Sequence, residues 1–165
     1  MVRYIEGDIL SEPKQGERII ICQQVNCAGV MGAGLAKQIR AKYPVVYSEY
    51  QQYIYELTAQ ESPLLGRVSY VRVEDNIATA NIFGQDGYGR GMRHTNYAAL
   101  SVAFWRMFSR IHNTTIRIPY GIGCGLGGGD WNIVEALIKD AAEANNADAF
   151  PWPLSTLSFA LPMSW

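Results

Sequence analysis

Apolar residues fall along this chain in two rhythms, short β-branched runs and longer stretches spaced at helical intervals. Val2–Glu6 reads as a short strand ended by Gly7-Asp8, and Arg18–Gln24, with Ile-Ile-Ile-Cys at its centre, as a buried one. Leu35, Ile39 and Tyr43 recur at helical spacing until Pro44 interrupts, and Val46, Tyr50, Tyr53, Ile54 and Leu57 predict a second helix over Val45–Leu57. Gly66–Val73 and Asn76–Phe83 are β-rich and separated by Glu74-Asp75-Asn76, the pattern of a hairpin. Beyond a loop at Gly84–Gly91, Thr95 or Asn96 can cap a helix whose Leu100, Phe104, Met107, Phe108 and Ile111 share one face. Thr115–Pro119 is the next strand, and Asp130 caps a helix carrying Ile133, Val134, Leu137 and Ile138. Trp105 and Trp131 read as core residues of these two helices, and Thr156–Leu161 as a short last strand among Pro151, Pro153 and Pro162.

Strands alternating with helices predict an α/β fold, a three-layer α/β/α sandwich around a central mixed sheet. A length of 165 residues fits one domain over residues 1–165. With 48% hydrophobic and 18% charged residues the chain has material for a core, and a net charge of −1 gives no field for generic nucleic-acid binding. Cys22, Cys27 and Cys124 lack metal-ligand spacing, and His94 and His112 stand apart from them, so no metal and no cofactor are expected. The sequence shows neither a signal-peptide pattern nor a membrane-length apolar run, and the expected compartment is a reducing cytoplasm.

Glycine is concentrated where strands pass into helices. Asn26-Cys27-Ala28-Gly29-Val30-Met31-Gly32-Ala33-Gly34 sets backbone N–H groups near a helix start, an arrangement suited to an anion, unless the glycines serve only to turn the chain. Gly123-Cys124-Gly125-Leu126-Gly127-Gly128 matches the GxGxxG form, yet it lies late in the chain, where a dinucleotide fold carries that loop after its first strand. Gly34-Leu35-Ala36-Lys37 lacks the order of a P-loop.

The motifs Gly7-Asp8-Ile9, Gln24-Val25-Asn26-Cys27 running into Gly29-Val30-Met31-Gly32-Ala33-Gly34-Leu35-Ala36, Asn81-Ile82-Phe83-Gly84-Gln85, and Pro119-Tyr120-Gly121-Ile122-Gly123-Cys124-Gly125-Leu126 before Asp130-Trp131 resemble the macro domain family, in its order. The resemblance covers residues 2 to about 144 and leaves the Pro-rich segment 148–165 atypical. It is strongest to the branch containing ADP-ribose 1''-phosphate phosphatases and terminal ADP-ribose glycohydrolases. The resemblance implies the macro domain fold and a ligand that is ADP-ribose or a derivative, free or attached to a macromolecule. It places Asp8 and Ile9 at the adenine, Asn26 with Gly32, Ala33 and Gly34 around the distal ribose, and Gly123, Cys124, Gly125 and Leu126 around the diphosphate.

The family's glycohydrolases carry a lysine and an aspartate at positions that here are Gln85 and Gly127, neither of which can serve as that nucleophile or acid-base partner. A histidine found in another pattern is replaced by Gln23. What remains near the distal ribose is Asn26, Gln85, Asp86, Tyr88, Arg90 and His94. Arg90 can bind a terminal phosphate and His94 can protonate a leaving oxygen, or Arg90, Arg93 and His94 form only a solvated basic loop. Asn26, Gln85 and His94 are therefore the catalytic candidates, and Asp8, Ile9, Asn26, Gly32, Ala33, Gly34, Gln85, Tyr88, Arg90, Gly123, Cys124, Gly125 and Leu126 the ligand-binding candidates. The expected activity is hydrolysis of ADP-ribose 1''-phosphate, with a non-catalytic ADP-ribose reader or a de-ADP-ribosylating hydrolase as alternatives.

Overall fold

Period-two alternation in the central strands and helical periodicity between them commit the two faces of a sheet to different partners, and the computed structural model, which describes Tyr4 and residues 6–145, has that organisation. The elements in chain order are β1 (Ile19–Asn26), α1 (Gly34–Lys42), α2 (Pro44–Ala59), β2 (Val68–Glu74), β3 (Ile77–Gln85), α3 (Tyr97–Phe108), β4 (Thr115–Arg117) and α4 (Trp131–Ala144). The sheet runs β2-β3-β1-β4, with β1 parallel to β3 and β4 and with β2 antiparallel to β3. The fold is α/β with a mixed sheet. The strand expected at Val2–Glu6 falls outside the described residues save for Tyr4 and Glu6, and Thr156–Leu161 lies wholly outside them.

One face of the sheet presents Ile19, Ile21, Val25, Ile77 and Phe83 to Ile39 of α1 and to Val46 and Tyr50 of α2. The other presents Cys22, Ala80, Ile82 and Ile116 to Leu100, Phe104 and Met107 of α3 and to Val134 and Ile138 of α4. Each fully buried side chain of this size contributes about 1.5–3 kcal/mol. Across the first face runs a polar ladder: Gln23 Nε2 donates to Asn81 Oδ1 (2.7 Å), and Asn81 Nδ2 donates to Ser69 Oγ (3.2 Å).

Pro44 opens α2 at a position where its missing N–H costs nothing, so it both closes α1 and starts its successor. Asn96 caps α3 by accepting from the Ala99 amide, and Asp130 caps α4 by accepting from the Asn132 amide. Trp105 departs from expectation: it is 54% exposed, because the core side of α3 is filled by Leu100, Ala103, Phe104, Met107 and Phe108, and position 105 turns away from them. Trp131 is half-buried, its ring 4.8 Å from that of Tyr120. Strands β1 and β3 each run two residues past their expected ends, to Asn26 and Gln85, which pair with each other across the ladder. Strand β4 stops at Arg117, short of the expected Pro119. Among the described residues no helix is long and apolar enough to cross a membrane.

Candidate functional site

The three parallel strands end at one edge of the sheet, and each hands a loop to that edge, where ligands bind in open α/β sheets. Loop one follows β1. Asn26 is only 6% exposed, and its side chain is spent on this loop. Its Oδ1 accepts from the amides of Ala28 (3.0 Å) and Val30 (3.2 Å), and its Nδ2 donates to the Val30 carbonyl (2.8 Å). The Tyr50 hydroxyl of α2 donates to the Asn26 carbonyl (2.6 Å) and lies 3.0 Å from Oδ1. Burial raises the Tyr50 pKa, which keeps that hydroxyl a donor. With the turn held this way, the Gly29 amide donates to the Tyr50 hydroxyl oxygen, the amides of Met31, Gly32 and Ala33 have no protein acceptor among the described residues, and α1 begins without a side-chain cap. That row of donors suits an anion.

Loop two follows β4 and is shaped by its own backbone. Ile122 donates to Pro119 (3.0 Å), Cys124 to Gly121 (2.8 Å), Gly128 to Gly125 (3.0 Å) and Gly129 to Gly123 (2.9 Å). The amides of Gly123, Gly125, Leu126 and Gly127 find no acceptor among the described residues, whereas that of Cys124 is taken. The glycines here also make room for a buried polar junction. Gln24 Nε2 donates to Gln85 Oε1 (2.6 Å) and to Thr95 Oγ1 (2.9 Å), and Thr95 Oγ1 donates to the Gly123 carbonyl (2.6 Å). A Cβ at Gly84 would sit 2.6 Å from Gln24 Oε1, and one at Gly123 would sit 2.5 Å from it. Glycine at both positions therefore makes room for Gln24, and at Gly123, with φ 76°, the backbone also favours it.

Residues 86–96 form the third loop. Gln85 is fixed at both ends, since its Nε2 donates to the Gly87 carbonyl (2.7 Å). The Gly127 carbonyl accepts from the amides of both His94 and Thr95 (2.9 Å each), joining this loop to loop two. The His94 imidazole lies against Gly87 and Gly89, and its Nε2 is buried without a partner among the described residues. Tyr88 (58% exposed) and Arg90 stand at the rim with no hydrogen bond or ion pair to the described residues, and Arg93 stacks on Tyr97 at 4.5 Å.

Asp8 and Ile9 approach from the N-terminal side, beside the end of β4. Asp8 is exposed, its Oδ1 accepting from the Leu10 amide (2.8 Å), while Ile9 is buried. Burial, then the charge and hydrogen bond of Asp86, push the Cys27 thiol up to about 11, and burial with Asp130 does the same to Cys124. Both cysteines are neutral near pH 7 and carry no nucleophile. Gln23 faces the α1/α2 layer within the polar ladder.

No family model matches the chain. An ADP-ribose 1''-phosphate phosphatase of Scheffersomyces stipitis is 35% identical over 68 residues, 40% of this chain and 39% of that protein. A DNA ADP-ribosyl glycohydrolase of Mycobacterium tuberculosis is 26% identical over 165 residues, 98% of this chain and 44% of that protein. The chain thus spans less than half the length of these curated relatives. Among solved structures, a macrodomain protein from Streptomyces coelicolor superposes with a TM-score of 0.76 at 24% identity, covering 99% of this chain and 100% of that one. The chain has the macro domain fold. Thermosipho africanus DarTG in complex with ADP-ribose also matches, with a TM-score of 0.65 at 20% identity over 87% of this chain and 38% of that one.

In this fold Asn26, Gln85, His94 and the free amides of loops one and two converge at one edge, while Tyr88 and Arg90 lie on its margin. Gln24, Thr95 and Tyr50 brace the site, a role that their settings in the sequence as motif, cap and helix positions do not give. Gln24 carried the available signal, the second of two adjacent glutamines that interrupt the apolar run of β1.

Proposed function

We propose that this macro domain binds ADP-ribose at the carboxyl edge of its sheet and hydrolyses ADP-ribose 1''-phosphate to ADP-ribose and inorganic phosphate. The observation that carries this reading is the pair of loops with unbonded backbone amides, one before α1 and one before α4, around a single edge. Two rows of neutral donors match a diphosphate and a terminal phosphate without needing net positive charge. The names of the Scheffersomyces phosphatase and of the ADP-ribose-bound DarTG support the same ligand.

In this reading the free carboxylate oxygen of Asp8 accepts from the adenine amino group, and the Ile9 amide donates to the ring edge. Gly123, Gly125 and Leu126 supply amides to the diphosphate, with Cys124 contributing shape because its own amide is engaged. Gly32, Ala33 and Gly34 flank the distal ribose, and Asn26 acts through the turn it braces. Arg90 and Tyr88 close over the terminal phosphate from the rim. Water attacks phosphorus, the P–O bond to the 1'' oxygen breaks, and His94 protonates that oxygen as it leaves. Gln85, clamped between Gln24 and Gly87, orients the water. The compartment of this reading is the reducing cytoplasm, where the free cysteines stay thiols.

Calorimetric titration with ADP-ribose, followed by phosphate release from ADP-ribose 1''-phosphate, tests it. Binding with release is the expected result, and His94→Ala should then lose turnover while keeping affinity. Binding without release from the unaltered protein would replace the phosphatase with a reader of ADP-ribose. That second reading is favoured by the buried, unpartnered Nε2 of His94 and by the lysine-aspartate pair that Gln85 and Gly127 replace.

A further inference from the structure

The connection from Ile9 to Glu17 carries the Asp8 turn, and one side chain holds both of its ends. Arg117, the last residue of β4, is 8% exposed. Its Nη1 donates to the Ser11 carbonyl (2.5 Å) and lies 3.3 Å from both the Ile9 carbonyl and Ser11 Oγ. Its Nη2 is 3.7 Å from Glu17 Oε2, the oxygen that accepts from the Lys14 amide at 2.9 Å. Lys42 of α1 donates to the Leu10 carbonyl (2.6 Å), and the Ser11 amide donates to the Asp8 carbonyl (3.1 Å).

Every carbonyl from Asp8 to Ser11 therefore has a donor. Left over among the described residues, side by side, are one acceptor and one donor: the second carboxylate oxygen of Asp8 and the amide of Ile9. The N1/C6 edge of adenine offers the complementary pair, the amino donor next to the N1 acceptor, whereas a 6-oxo purine offers the reverse there, an oxo acceptor next to an N1–H donor. The match depends on the angle between those two groups, and the Ile9 and Ser11 carbonyls gripped by Arg117 belong to the same turn. Buried, with charge-assisted hydrogen bonds donated to carbonyls, the guanidinium is the rigid member of the clamp, and the exposed Lys42 is the loose one.

We propose that Arg117 is a positioning residue that sets the base selectivity of the cleft by holding the Asp8-Ile9 turn, without touching the ligand. This deepens the ADP-ribose reading and rests on it. A merely structural arginine would, on removal, weaken every ligand alike. A positioning arginine weakens only the ligand whose base edge must be matched, so the diagnostic is the ratio between two ligands that differ at the base.

The test is calorimetric titration of the full chain with ADP-ribose and with inosine diphosphate ribose, on the unaltered protein, Arg117→Lys, Arg117→Met and Lys42→Met, each with a thermal melt. The unaltered protein should prefer ADP-ribose by about tenfold or more, the worth of one charge-assisted hydrogen bond. Arg117→Lys, which cannot reproduce the fork, should bring the two affinities within about threefold by weakening ADP-ribose alone, with Lys42→Met much milder. Should Arg117→Met fail to fold, Arg117→Lys decides the question. Equal weakening of both ligands, or an undiminished preference in Arg117→Lys, overturns the proposal and leaves ADP-ribose binding intact. An unaltered protein that binds neither ligand overturns the ADP-ribose reading itself, and this inference with it.

Discussion

Loop one and loop two present the same surface, a row of unbonded amides, but are built by opposite means. Loop one is held by what side chains add: the Asn26 amide makes its turn and Tyr50 braces Asn26 from α2. Loop two is held by what side chains leave out, its glycines closing on Gln24, Thr95 and each other. A braced loop fails when an atom is removed, and a closed-packed one fails when an atom is added.

The largest effect is expected from Gly127→Ala. The new Cβ would fall 2.6 Å from the Gly123 carbonyl oxygen, a backbone atom with no freedom to move aside. Urea denaturation should show a loss of about 3 kcal/mol, the upper range for overpacking, together with loss of ADP-ribose binding. A fully stable, binding-competent variant would show that loop two is not close-packed in this way.

Next comes removal from loop one. Asn26→Ala leaves the Val30 carbonyl and the amides of Ala28 and Val30 without their partner, for about 2 kcal/mol. Tyr50→Phe, which deletes only the brace, should cost about 1 kcal/mol and lower ADP-ribose affinity by a smaller factor than Asn26→Ala. If the two variants behave alike in melts and titrations, the turn depends on α2 rather than on Asn26.

The two loops should behave alike toward alkali. Cys27 in one and Cys124 in the other are both raised from 9.0 to about 11, Cys27 by burial and then Asp86, Cys124 by burial and then Asp130. The unfolded chain gives up these protons first, so their contribution is whole below pH 9 and is lost as pH rises toward 11. Stability measured across that window should fall, and alkylation of both thiols should stay slow at pH 8; fast alkylation of either would contradict the assigned environment.

The smallest effect belongs to Gly32→Ala. Its Cβ meets only Val30 Cγ1 at 3.7 Å, so stability should stay within about 0.5 kcal/mol. Affinity should nevertheless fall if the distal ribose lies against Gly32, and an unchanged titration would move the sugar elsewhere.

The layers of this fold were legible because periodicity reports burial: Leu100, Phe104, Met107 and Phe108 are buried on α3 as their spacing predicts. The hairpin turn, the Pro44 junction and the caps at Asn96 and Asp130 follow from single-residue chemistry and were equally readable. Trp105 was misread because size and hydrophobicity were allowed to outweigh its angle on the helix. The junction of Gln24, Gln85, Thr95 and Gly123 was hidden for a different reason. Its members come from β1, the end of β3, the loop before α3 and the loop after β4, and nothing local marks Gly84 or Gly123 as making room for a glutamine from β1. Arg117 likewise looks like one polar residue in a short strand until the N-terminal connection lies over it.

The ladder of Gln23, Asn81 and Ser69 behaves as a key cut for one alignment of the strands. Sliding β3 by two residues along β1 would preserve the alternation of large apolar side chains, so hydrophobicity alone barely opposes the slip. It would, however, part Gln23 from Asn81: opposite Phe83 the Gln23 amide finds no partner, and opposite Thr79 it is Asn81 Oδ1 that loses its donor, at about 1–3 kcal/mol for each group left unpaired. Three polar side chains in the middle of the core thus reject a mispaired sheet in which Asn26 and Gln85 would no longer meet at the binding edge.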